Sequence, residues 1–246
     1  MQPEKLTNMN QTTGYNYKPL IWAYLLLSIV HIYATGTENE WLIYLSKPLL
    51  LSLLSVWFWL NTRHQATAFS RFILLGLIFS IGGDTFLMFV DKGPNFFLFG
   101  LGSFLLAQVS YLIGFLKFKS DQSGLIKRKP WVIIFFLAFW LGIISFLWSG
   151  IPADLKIPVT VYSFAIVAMA AGAANLYGQV NPNHFIWLFV GVLLFIISDS
   201  MIAINKFNPQ GISIPNGRVW IMLTYLVAQY LIGTRCLLIN RKKIIG

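Results

Sequence analysis

Apolar residues in this chain come in long blocks instead of alternating with polar ones. Eight apolar runs, at about 20–35, 42–60, 70–90, 95–117, 131–149, 158–177, 185–205 and 218–239, follow one another along the sequence. Each is close to the ~20 residues that a helix needs to cross a hydrocarbon core. The breaks between them, among them "ATGTENE", "DKGPN", "SGIPADLK" and "KFNPQGISIPNG", are short and rich in turn-forming residues. In lipid every backbone polar group must be satisfied within its own segment, which favours helices. The pattern predicts an all-α fold, a polytopic bundle of eight transmembrane helices forming one integral membrane domain over residues 1–246.

Composition agrees with a lipid solvent. Hydrophobic residues make up 57% of the chain and charged residues 11%, whereas a soluble domain carries about a quarter charged. The net charge of +10 raises the question of a nucleic-acid partner. The basic residues sit in short loops and at span ends, so the expected partner is the bilayer and no nucleic acid. Thirteen Lys and Arg, including Lys5, Lys242 and Lys243, fall on the side of the two termini, against Lys92, Lys156, Lys206 and Arg218 on the other. Both termini are therefore expected to be cytoplasmic, in a bacterial cytoplasmic membrane. Residues 1–18 contain no signal-peptide core, so the first span is expected to insert uncleaved. A single cysteine, Cys236, excludes an internal disulfide framework.

The two halves of the chain resemble each other. Asp84 in "FSIGGDTFLMF" and Asp199 in "LLFIISDSMIAI" each lie in the third span of a four-span set. The span after each carries a related string, "AQVSYLIG" at 107–114 and "AQYLIG" at 228–233, and Pro48 has a counterpart in Pro158. A four-span unit returns the chain to its starting side, so such a duplication is parallel.

The polar residues inside the spans are the candidate site. Asp84 and Asp199 each lie fourteen residues into their spans, roughly 21 Å deep. Lys47 approaches the same level from the other side, about 9 Å below Trp41. Tyr162, Ser163 and His31 lie near this level, and Gly83 allows close approach to Asp84. Gln108, Tyr111, Gln229 and Tyr230 fall nearer the midplane and are read first as interhelical hydrogen-bonding supports, while Ser198 flanks Asp199. His31 is read as a membrane-interface residue. With no paired His, HExxH motif or Cys cluster, no metal site is expected.

Charged residues inside spans are functional by default, although a structural ion cluster is the plain alternative. Two carboxylates at one depth suit general acid–base catalysis, one protonated and one ionised beside Lys47, on a lipid or other amphiphile. The same cluster also suits an ion- or proton-coupled small-molecule transporter. Intramembrane aspartyl proteolysis fits less well, because Ile81 stands where a GxGD signature requires Gly.

The order and context of several strings carry a resemblance. Lys47-Pro48, Gly83-Asp84, "FGLGSFLLAQVSY" at 99–111, the helix of Tyr162, "VGVLLFIISDSMIAINKF" at 190–207 with Asn205, and "LTYLVAQYLI" at 223–232 with Tyr225 together resemble the YhhN-like family, which includes the mammalian lysoplasmalogenases. Gln108 is a departure, since the family often has His there; Gln orients a substrate but does not transfer a proton. The resemblance implies hydrolysis of the vinyl-ether bond of a lysophospholipid to a fatty aldehyde and a glycerophospho-head group. It implies Asp84 and Asp199 as the catalytic pair, Lys47, Gly83, Gln108, Tyr111, Tyr162, Ser198, Asn205, Tyr225 and Gln229 as binding or supporting residues, and no cofactor.

Overall fold

A computed structural model describes residues 17–245. Residues 1–16, with Lys5 and the stretch read for a signal peptide, and Gly246 lie outside the described residues, as do the side chains of Pro94, Gln210 and residues 242–245, including Lys242 and Lys243. The described chain is helical without a strand: α1 Lys18–Gly36, α2 Glu40–Thr62, α3 Ala68–Leu87, α4 Pro94–Lys117, α5 Leu125–Arg128, α6 Val132–Leu147, α7 Lys156–Ala174, α8 Pro182–Phe207 and α9 Gly217–Ile245.

Local chemistry sets these boundaries. Asn39 caps α2 by accepting from the Leu42 N–H at 3.2 Å, and Thr67 and Ser70 form a reciprocal capping box at the start of α3. Proline at the first turn opens α4 and α8, where its missing N–H costs nothing. At the end of α8, Asn208 takes the left-handed conformation (φ 41°).

Seven helices are long and apolar enough to cross a membrane. This is a multi-pass membrane protein. The remaining predicted span, 131–149, contains the 16-residue helix α6, about 24 Å long. Turns at both ends extend it, with Ile133 N–H bonding the Pro130 carbonyl and Gly150 N–H the Leu147 carbonyl. Two contacts fix its course. Arg128, just before α6, donates to the Tyr177 carbonyl (2.7 Å) after α7, whereas Leu147 and Ile151 pack with Val159 and Phe207 at the other end. So α6 also runs from one end of the bundle to the other, the course that an eight-pass topology requires.

The end holding the C-terminal part of α9 is called the near end and the other the far end. At the near end Asn240 accepts from Thr67 (2.6 Å) and Arg241 donates to Asn61 (2.6 Å). The most extensive packing joins α3 to α4 and α8 to α9, which are corresponding pairs in the two halves. Small residues bring these helices close: a Cβ at Gly76 or Gly83 would overlap Tyr111 or Phe104, and one at Gly191 would overlap Leu231. A continuous core runs through the bundle, including Tyr24, Leu51, Phe58, Tyr111, Met169 and Phe195. Outside it, Trp22, Leu26, Ile134, Phe135 and Ile157 are exposed and suit contact with lipid.

Gln122 and Asp154 are exposed at opposite ends of the bundle. Single cysteines at these positions should label with an impermeant maleimide from opposite sides of the membrane, with buried Cys236 silent. Labelling of both from one side would overturn the eight-pass topology.

Candidate active site

Asp84 lies sixteen residues past the start of α3 and Asp199 seventeen past the start of α8. Both helices enter from the near end, so the two carboxylates reach a common level.

The two sit in different surroundings. Asp84 is 3% exposed, faces the Lys47 ammonium across 4.0 Å and accepts a hydrogen bond of 2.7 Å from the Tyr225 hydroxyl. This is the one ion pair found among the described residues. Lys47 reaches it from α2, with its side chain 15% exposed, so it points into the bundle. Asp199 accepts from the Tyr162 hydroxyl. It is partly exposed and lines a small cavity of about 50 Å³ with Leu87, Leu101, Phe104, Val159, Tyr162 and Ala203. Apart from Asp199 and Tyr162, that cavity is apolar.

Phe104 stands between the two groups. Its ring lies in the Asp199 cavity, meets Tyr225 edge-to-face (centroids 6.0 Å, 89°) and Phe195 likewise (6.4 Å, 82°), and covers Gly83. The sequence reading missed it, since one Phe among twenty-one carries no signal. A signal does exist: Phe104 precedes Gln108 by the same interval at which Tyr225 precedes Gln229, making it the counterpart of the tyrosine on Asp84.

One turn nearer the midplane lies a second polar layer. Tyr111 donates to Gln229 (2.8 Å), and Gln229 donates to Ser80 (3.1 Å), which in turn donates to the Gly76 carbonyl (2.8 Å). Gln108 has no such network. It is fully buried, and neither amide atom makes a hydrogen bond among the described residues. The broken symmetry explains this. Ser80 stands one turn before Asp84, whereas the residue one turn before Asp199 is Phe195, whose side chain has no hydrogen-bonding group.

The other expected residues are engaged elsewhere. Ser198 donates to the Ile221 carbonyl on α9 (3.0 Å), and Asn205 accepts from the Ile214 N–H (2.8 Å), holding the loop after α8. Both contacts support the frame around the carboxylates. His31, expected at the membrane interface, is instead 1% exposed and hydrogen-bonds Ser46 through Nδ1 (2.7 Å). Because the Ser46 hydroxyl donates to the Leu42 carbonyl, the imidazole is the donor. Span depth alone did not reveal that this face of α1 turns inward, beside Lys47. Among the described residues no group of three His, Cys, Asp or Glu is arranged to hold a metal.

The profile of the YhhN family matches residues 42–235, a stretch that contains both aspartates, Lys47 and both tyrosines. The chain belongs to the YhhN family. Among its relatives, a lysoplasmalogenase of Mycobacterium bovis is 32% identical over 165 residues, 66% of this chain and 59% of that protein. A lysoplasmalogenase of Sus scrofa is 29% identical over 183 residues, covering 74% of this chain and 71% of the relative. One of Homo sapiens is 30% identical over 173 residues, covering 65% and 63%. The match thus spans under two thirds of the length of the mycobacterial relative. No solved structure matches the chain.

The two glutamines should respond oppositely to substitution. Gln229→Leu strands Tyr111 and Ser80 and should lower the thermal midpoint in detergent by the equivalent of about 1 kcal/mol. Gln108→Leu removes an unpaired buried amide and should leave the midpoint unchanged or raise it. A fall of equal size in both would contradict the assignment of Gln108 as unpaired.

Proposed function

We propose that this YhhN family member hydrolyses the vinyl-ether bond of lysoplasmalogen-type lysophospholipids, with Asp84 and Asp199 as the acid–base pair. The observation that carries this reading is the inequality of the two intramembrane carboxyls: one is buried and faces an ammonium, the other lines an apolar cavity. That three relatives are lysoplasmalogenases supports the substrate class.

The chemistry divides accordingly. Asp199, hydrogen-bonded by Tyr162 and with no cation paired to it among the described residues, is the general acid. It protonates the vinyl carbon remote from the ether oxygen, giving an oxocarbenium ion. Asp84, ionised beside Lys47 and held by Tyr225, takes a proton from the water that adds to the carbon bonded to oxygen. The resulting hemiacetal collapses: Asp84 returns its proton to the departing glycerol oxygen, and the hemiacetal hydroxyl proton passes to Asp199. One water is consumed, an aldehyde and a glycerophospho-alcohol are released, and both carboxyls are reset. Gln108 offers its unpaired amide to the free glycerol hydroxyl that marks a lysolipid. The apolar cavity beside Asp199 takes the start of the hydrocarbon chain.

Topology completes the reading. With thirteen basic residues on the side of the termini, the near end is cytoplasmic and the site opens toward the outer half of a bacterial cytoplasmic membrane. The Lys47–Asp84 pair is also what an ion- or proton-coupled transporter would use, so the assay must separate turnover from flux.

Purified protein should release aldehyde from a lysoplasmalogen in detergent. Asp84→Asn and Asp199→Asn should each reduce this by at least about a thousandfold, with the thermal midpoint retained in Asp199→Asn and lowered in Asp84→Asn, which strands the Lys47 ammonium. Gln108→Leu should raise KM more than it lowers kcat. Near-normal aldehyde release by both Asn variants would sink the mechanism, and substrate flux into proteoliposomes without lipid turnover would favour transport.

A further inference from the structure

A second and larger cavity, about 610 Å³, opens at the far end between the outer turns of α2 and α3. Its floor includes Pro48 and Thr85, the immediate sequence neighbours of Lys47 and Asp84. Its rim carries Glu40, Trp41, Tyr44 and Lys92. The rim residue Glu40 lies about 12 Å along α2 from Pro48, more than two helical turns.

The charges on this rim are arranged for a ligand bearing both signs. The Lys92 ammonium stands over the rings of Tyr44 (5.6 Å) and Phe89 (5.1 Å), which themselves stack at 5.7 Å. Ring faces position an ammonium without cancelling its charge. Glu40 lines the same cavity, yet the two form no ion pair; the only pair found among the described residues is Lys47–Asp84. The cavity therefore holds a fixed cation and a separate carboxylate, with the indole of Trp41 and the ring of Tyr44 beside them. A phosphodiester suits the first, and an alkylammonium suits the acid and aromatic faces together.

We propose that this cavity binds the zwitterionic head group of the lysophospholipid whose ether linkage lies at the carboxylates, with Lys92 on the phosphodiester and Glu40, Trp41 and Tyr44 around the ammonium. The assignment rests on the hydrolase reading for the identity of the linkage. The binding site itself does not require turnover. It places the head beside Lys47 and Asp84 and the chain in the apolar cavity of Asp199, two hollows on the far-end side of the carboxylates.

Two measurements on the full chain in maltoside detergent test it. The first compares kcat/KM for a 1-alkenyl-glycerophosphocholine with that for the 1-alkenyl-glycerol of equal chain length. Lys92→Gln should reduce this preference about tenfold, and Lys92→Arg should restore most of it. The second measures binding of a saturated 1-alkyl-glycerophosphocholine, which has no vinyl ether to cleave, to the wild-type protein, whose Lys47–Asp84 pair is intact. Lys92→Gln should raise Kd about tenfold, with a smaller rise for Glu40→Gln. Binding decides the assignment. A Kd unchanged by Lys92→Gln overturns it whatever the aldehyde assay reads, and leaves these residues as ordinary interface aromatics and charges. Lys92-dependent binding by a wild-type protein that releases no aldehyde keeps the head-group site and removes the hydrolase reading.

Discussion

An ammonium and a carboxylate facing each other at 4.0 Å inside a membrane bundle are the constraint around which this protein is arranged. Neither charge is tolerable there alone, and removing one partner strands the other. Lys47 comes from α2 and Asp84 from α3, so the pair also fixes the rotation of those helices about their axes. Tyr225 on α9 completes the shell around the carboxylate and ties a third helix, from the other half of the chain, to the same point. The second layer, Tyr111–Gln229–Ser80, repeats the same tie between α4, α9 and α3 one turn nearer the midplane.

The other carboxylate occupies the corresponding place in the second half, and its surroundings are the first half's with the polar groups exchanged. Where Asp84 has Tyr225, Asp199 has the ring of Phe104; Gln229 bonds Ser80, whereas the Gln108 amide has no partner among the described residues. The two halves carry a carboxylate at corresponding positions, and an exchange of hydroxyl for ring gives the two different surroundings. One keeps a cation and two polar layers, while the other keeps a tyrosine and a hydrophobic hollow. Paired acids with distinct roles need such a difference.

Much of this was legible in the sequence, and the limits have physical causes. Blocks of apolar residues marked the passes because lipid permits little else. α6 differs only in length, since its ends unwind into turns around Pro130 and Gly150 that hydropathy does not register. The aspartates and Lys47 stood out as charges in apolar runs, and counting residues from the span ends brought them to one level. Counting gives depth but not direction around the helix axis. So it misread His31, which turns inward to Ser46, and it could not tell that Ser198 and Asn205 are occupied by backbone groups. Phe104 had no polar atom to draw notice, and its place follows only from comparing the two halves.

Gly83 carries a consequence for size. Its missing Cβ is what lets the Phe104 ring lie flat against α3, and that same ring forms one wall of the hollow beside Asp199. Even a methyl group at 83 would press the ring away from the helix and into the space it borders. One hydrogen atom's worth of backbone on α3 thus meters the room available next to a carboxyl on α8, so the bore of the chamber is regulated from the opposite half of the molecule.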